Sequence, residues 1–112
     1  MIKDEKIFLR HIMESIENIE DFTKDISITE FQDSALIQNG VIRCLEIIGE
    51  AVKNIPDDMK KRYPEVPWKK IAGLRDVLIH AYFEVDLDLT WDITKTDLPE
   101  LKKNIKKILE DI

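Results

Sequence analysis

Histidine, cysteine, glycine and proline are all scarce in this chain. Its 112 residues include two histidines, one cysteine, three glycines and four prolines. A single cysteine, Cys44, cannot close an internal disulfide. Its apolar neighbours Ile42 and Leu45 mark it as a small buried hydrophobe, and a reducing compartment is consistent with that. Few glycines and prolines leave few places for turns. Valine is also sparse, whereas Ile, Leu, Lys and Glu abound, which favours helices over strands. No run approaches the roughly 18 uninterrupted apolar residues of a membrane span. The opening Met1 to Lys6 is charged and no apolar stretch follows, so no secretory leader is expected. These absences point to a soluble, cytoplasmic protein with no membrane association. An excess of basic charge is missing too. The net charge is -6, so long-range attraction for nucleic acid is absent overall. Contact with nucleic acid then requires a local basic patch, or symmetry that concentrates arginines.

What is present reads as one helical domain over residues 1–112. Its hydrophobic fraction, 44%, is that of a globular chain rather than a disordered one. Leu9, Ile12, Ile16 and Ile19 recur at spacings of three and four, which predicts a helix from residue 3 to about 25. Thr29 or Asp33 is expected to cap a second helix running to about Asn54. Its apolar positions are Leu36, Ile37, Val41, Ile42, Leu45, Ile47, Ile48, Ala51, Val52 and Ile55, more than one narrow stripe. A helix apolar on two sides is buried on two sides, so it is expected to pack within the protomer and against a second subunit. Residues 57–62 suit a short helical turn. Pro67 suits the first turn of a third helix from about Trp68 to Ala81, with Ile71, Leu74, Leu78 and Ala81 facing the core. A fourth helix is expected over about Leu87 to Lys95. A last one follows, capped by Asp97 and buried through Leu98, Leu101, Ile105 and Ile108. The product is an all-α, mostly antiparallel bundle of about four to five helices. Trp68 and Trp91 read as core or interface anchors, and Lys102, Lys103, Lys106 and Lys107 as a solvated face.

Chemistry concentrates in Arg75-Asp76-Val77-Leu78-Ile79-His80-Ala81-Tyr82. Arginine offers a planar fork of donors that fits phosphate, and histidine moves protons near neutral pH. On a continuous helix Asp76 and His80, four apart, would touch, so Asp76 could orient the imidazole. Arg75 and Tyr82, seven apart, would lie nearly in line, whereas Arg75 and His80 would differ by about 140°. Spacing alone therefore does not bring arginine and histidine to one face. The plain alternative is an ordinary Asp76–His80 helix pair, with Arg75 bonding Glu46 or Glu50. Those two glutamates have no His or Cys beside them, so pairing with Arg43 or Arg75 is expected rather than a metal site.

The pattern Arg75-x4-His80-x-Tyr82 resembles the signature of the HEPN superfamily. More narrowly it resembles the HepT-like (DUF86) toxins of HepT/MntA type toxin–antitoxin systems. The likeness extends through Leu45-Glu46-Ile47-Ile48-Gly49-Glu50-Ala51, Pro67 to Arg75, Val85 to Ile93, and Asp97-Leu98-Pro99-Glu100-Leu101. It covers roughly residues 3 to 110. The resemblance implies an all-α homodimer, able to enter a larger hetero-oligomer, that cleaves RNA without metal or other cofactor. The paired motifs would line a cleft at the dimer interface. It assigns catalysis to Arg75 and His80 with Asp76 in support. It also implies that a minimal, MntA-like nucleotidyltransferase antitoxin silences the protein by AMPylating Tyr82.

The residue types suit that chemistry. Internal cleavage of RNA needs a base for the 2′-OH, an acid for the leaving 5′-oxygen and a cation for the phosphorane. One chain offers one well-placed histidine, but a two-fold dimer offers two, with two arginines. A bulky anionic nucleotide on Tyr82 would block such a cleft. The competing reading is a non-catalytic, nucleotide- or substrate-binding companion of a nucleotidyltransferase. In it Arg75 holds phosphate and His80 is a ligand contact.

Overall fold

The computed structural model describes residues 5–81 and 84–112, with His80 and Ala81 described through their backbone alone. The long helix α1, Glu5–Thr23, buries Leu9, Ile12, Ile16 and Ile19, the stripe that the spacing predicts. Its start at residue 3 lies outside the described residues. The chain leaves α1 through Asp25, whose φ of 59° is a left-handed conformation that aspartate tolerates.

The next helix is not continuous. A short α2, Ile28–Asp33, is capped by Ser27 in a capping box with Glu30, and neither Thr29 nor Asp33 serves as the cap. Ser34 then takes an extended conformation and caps α3, Ala35–Lys53, by accepting from the Ile37 backbone N–H. Two serines that satisfy the first N–H groups of separate helices outcompete one uninterrupted helix. Within α3, Val41, Leu45, Ile48 and Val52 are buried, whereas Leu36 is 84% exposed and Ile47 half-buried. Of the remaining apolar residues of this helix, Ile37 and Ile42 are half-buried and pack against the core, so only Leu36 and part of Ile47 face outward.

After α4, Asp57–Arg62, come α5, Trp68–Ala72, and α6, Leu74–Leu78. The expected helix to Ala81 is corrected here on two counts. It breaks at Gly73, and it stops at Leu78. Residues Ile79–Ala81 form a strand, β1, that pairs antiparallel with β2, Glu84–Val85, with Ile79 opposite Val85. The β-branched Ile79 and Val85 favour such pairing. The Asp86 backbone N–H donates to Leu78 O at 2.8 Å and closes the ribbon. This small ribbon decorates a structure that is otherwise an all-α helical bundle.

The last two expected helices are joined. Helix α7, Leu87–Asp92, is capped by the Asp86 side chain, which accepts from the Leu89 N–H. It runs through a π-helical turn, Ile93–Asp97, into α8, Leu98–Asp111. Asp97 is therefore helical and its side chain does not cap α8, contrary to the expectation.

The core lies between α1, α3 and α8, with α5 and α6 laid across α3. Leu101, Ile105 and Ile108 of α8 and Met59 of α4 close it. Trp68 is buried, and its Nε1 donates to Tyr63 O at 3.0 Å. Trp91 packs against the buried Phe31 with ring centroids 5.3 Å apart and the planes tilted by 39°, and the Lys95 ammonium lies 4.7 Å from the Trp91 ring centroid. Cys44 is buried, and desolvation pushes its thiol above the ordinary value, with Arg43 pulling weakly the other way. No described helix is long and apolar enough to cross a membrane.

Candidate active site

Arg75 sits in the first turn of α6, where that helix crosses α3. The crossing is close because Gly49 of α3 lacks a side chain. A Cβ there would lie 3.3 Å from Ala72 O and 3.4 Å from Ile71 O, at the end of α5. This approach brings Arg75 onto Glu46, one turn from Gly49 on α3. The Arg75 Nε donates to Glu46 Oε2 at 3.1 Å. The arginine remains exposed while the glutamate is about one-third exposed, so the pair stands at a surface rather than inside the core. This is the pairing raised as the plain alternative for Arg75. Glu50 instead faces Lys53 at 3.9 Å.

Asp76, next to Arg75, is exposed and makes no hydrogen bond or ion pair with a described residue. The helical relation between Asp76 and His80 does not exist, because α6 ends between them. Extended residues rise about 3.3 Å each against 1.5 Å in a helix, so β1 carries the His80 backbone away from the α6 axis. The angular argument for Arg75 with His80 falls for the same reason. Tyr82, the expected modification site, and Phe83 lie outside the described residues.

A groove of about 500 Å³ runs over the open side of α3 and takes in Arg75, Asp76, Glu46 and Glu50. It also takes in His11 and Phe8 from α1 and Arg43 from α3. His11 is exposed, one position before the buried Ile12. Nothing in the local spacing marks it as a neighbour of the motif. Only the packing of α1 against α3 brings the chain's other histidine to the same concavity.

The comparisons with known proteins settle the family. Residues 12–108 match the ribonuclease HepT-like family. The chain belongs to that family. It is a family of ribonucleases, in line with the enzyme class expected from the sequence. The chain is 52% identical, over all of its 112 residues, to a Methanocaldococcus jannaschii protein named "Gamma-glutamylcyclotransferase and putative RNase". It spans half the length of that relative. It is also 47% identical over 110 residues to a "Putative RNase" of the same organism, covering 98% of this chain and 91% of the relative. A third relative, the "Probable ribonuclease HepT" of Thermococcus cleftensis, is 48% identical over 108 residues, with 96% and 98% covered. No solved structure matches significantly.

Proposed function

We infer that this chain is a metal-independent endoribonuclease acting as the toxin of a toxin–antitoxin pair, with Arg75 and His80 as its catalytic residues. The observation that carries the reading is an exposed arginine, placed at the edge of an open groove, five residues before a histidine in a HepT-like chain. In the reaction the 2′-oxygen attacks phosphorus and loses its proton to a base. The bond from phosphorus to the 5′-oxygen breaks, and that oxygen takes a proton from an acid. His80 serves as acid or base, and Arg75 stabilises charge on the phosphorane. Asp76 supports from the solvent side rather than by a helical contact with His80.

Two histidine roles are needed, and a two-fold dimer supplies them by pairing two copies of the motif. The outward-facing Leu36, exposed, and Ile47, half-buried, on one side of α3 support a homodimer. Silencing follows when a minimal nucleotidyltransferase modifies Tyr82. The phenolic oxygen attacks the α-phosphorus of ATP, a P–O bond forms, pyrophosphate leaves, and the phenol proton passes to a base. The added phosphate and nucleoside bring bulk and negative charge that oppose RNA binding.

The test is RNA cleavage in excess chelator by wild type and His80→Ala, each made without a partner. Wild type is expected to leave 2′,3′-cyclic phosphate ends. The variant should lose about 100- to 10,000-fold in rate, the range for one general acid or base. Cleavage by His80→Ala at the wild-type rate would overturn the assignment. The net charge of -6 fits the non-catalytic companion of a nucleotidyltransferase as well as it fits the toxin. An unmodified wild type that cleaves neither transfer nor messenger RNA would favour the companion.

A further inference from the structure

Arginine is a catalytic cation only if its fork points where charge develops. Arg75 is exposed and has a long, flexible stem, so by itself it would sample many rotamers. Its one bond to a described residue is the contact from Nε to Glu46 Oε2 at 3.1 Å. The two Nη groups make no hydrogen bond with a described residue. A guanidinium can grip a phosphate side-on through Nε and one Nη, or end-on through both Nη groups. The Glu46 contact occupies the side-on edge and leaves the end-on edge open.

Glu46 is itself well held. It stands in the middle of the 19-residue helix α3, and its side chain is two-thirds buried. The backbone approach at Gly49 sets the distance between α3 and the end of α5, from which the chain turns into α6. Helix position, close packing and one hydrogen bond thus act together on the guanidinium. Arg43 lines the same groove, yet Glu46 contacts Arg75 and not Arg43.

We propose that Glu46 is a positioning residue. It holds Arg75 by Nε, so that the guanidinium meets the scissile phosphate end-on through its two Nη groups. The proposal rests on the ribonuclease reading for its substrate, an RNA phosphodiester. Because one carboxylate already offsets part of the arginine charge, Glu46 adds little to ground-state binding of RNA. Its contribution appears in the turnover step, where geometry counts most.

The experiment compares wild type, Glu46→Ala, Glu46→Gln and His80→Ala in cleavage of a fluorescent RNA oligonucleotide, with kcat and KM separated. The Nε–H signal of Arg75 is followed in parallel by nitrogen-15 NMR, and thermal unfolding confirms folding. Glu46→Ala is expected to lower kcat at least about tenfold with KM within about twofold, the scale for a hydrogen bond to a charged group. Glu46→Gln, which keeps an acceptor oxygen, should restore part of that loss. The Arg75 Nε–H signal should be sharp and shifted in wild type and averaged in Glu46→Ala. Unchanged kcat in a folded Glu46→Ala overturns the proposal. So does a rise in KM with kcat intact, which would make Glu46 a binding contact. Faster cleavage by Glu46→Ala overturns it as well, since Glu46 would then merely sequester Arg75. If wild type cleaves no RNA, the ribonuclease reading fails separately, and the NMR signal decides. An Nε–H signal unaffected by Glu46→Ala then overturns the hold of Glu46 on Arg75 as well, whereas an averaged one keeps that hold and overturns only the RNA phosphodiester as its target.

Discussion

Substituting Gly49 by alanine tests how the site is held against the bundle. Two effects oppose each other. Inside the helix Ala35–Lys53, replacing glycine by alanine gains about 1 kcal/mol of helix propensity. The new Cβ, however, would lie 3.3 and 3.4 Å from two backbone carbonyl oxygens of the neighbouring helix. Those oxygens cannot rotate away as a side chain would, so Trp68–Ala72 must shift by a few tenths of an ångström. Overpacking of this kind costs about 1–3 kcal/mol. The balance is a net loss of about 0–2 kcal/mol. For a chain of 112 residues, about 1 kcal/mol corresponds to roughly 4 °C in Tm. Gly40→Ala is the matched control on the same helix. Its Cβ would meet the Phe22 ring at 3.0–3.4 Å. That ring is 42% exposed and free to turn outward, so the propensity gain should survive and raise Tm by a few degrees. The assay is thermal unfolding of both variants, with RNA cleavage measured well below Tm. Gly49→Ala should also lose turnover, because the shift moves Arg75 relative to Glu46. A Gly49→Ala variant more stable than Gly40→Ala would refute the reasoning, since the neighbouring helix would then yield at no cost.

Two further outcomes are expected. Leu78→Ala removes a fully buried side chain at the junction of α6 and β1, and urea unfolding should show a loss of about 2–5 kcal/mol. Cys44 should resist thiol reagents in the folded protein at neutral pH, because burial raises its pKa and the thiolate is the reactive form. Its contribution to stability is complete below the ordinary thiol pKa and is lost as pH rises through the elevated one. A Cys44→Ser variant whose stability falls as steeply between pH 8 and about 10 as wild type would rule that contribution out.

The Asp76–His80 relation shows where reading the sequence reached its limit. The apolar spacing Ile71, Leu74 and Leu78 is equally consistent with helix up to Leu78 or up to Ala81. Residues 79–82 have no period long enough to separate helix from a short strand. Pairing of Ile79 with Val85 decides the matter, and a contact of that kind is non-local. The split at Ser34 was legible in principle, since serine at a helix boundary is a capping signal. It was masked by the strong apolar pattern on both sides. The join through Ile93–Asp97 had no sequence sign, because Asp97-Leu98-Pro99 also reads as a fresh helix start. Arg75 with Glu46 was within reach of sequence reasoning, as one of two glutamates on a helix known to be apolar elsewhere. The choice of Glu46 over Glu50 came from where α6 lands on α3.

By itself the sequence determined the class of fold. Periodic apolar residues in α1, α3 and α8, few glycines and few prolines admit little besides a helical bundle, because burial of one face per helix is a local property of the pattern. It also determined the family, through motifs spread over nearly the whole chain. Tertiary structure alone decided which helices end early, where the ribbon forms, and which carboxylate meets Arg75. Those outcomes depend on contacts between residues far apart in the chain, such as Gly49 with Ala72 and His11 with the groove across α3, and no local spacing encodes them.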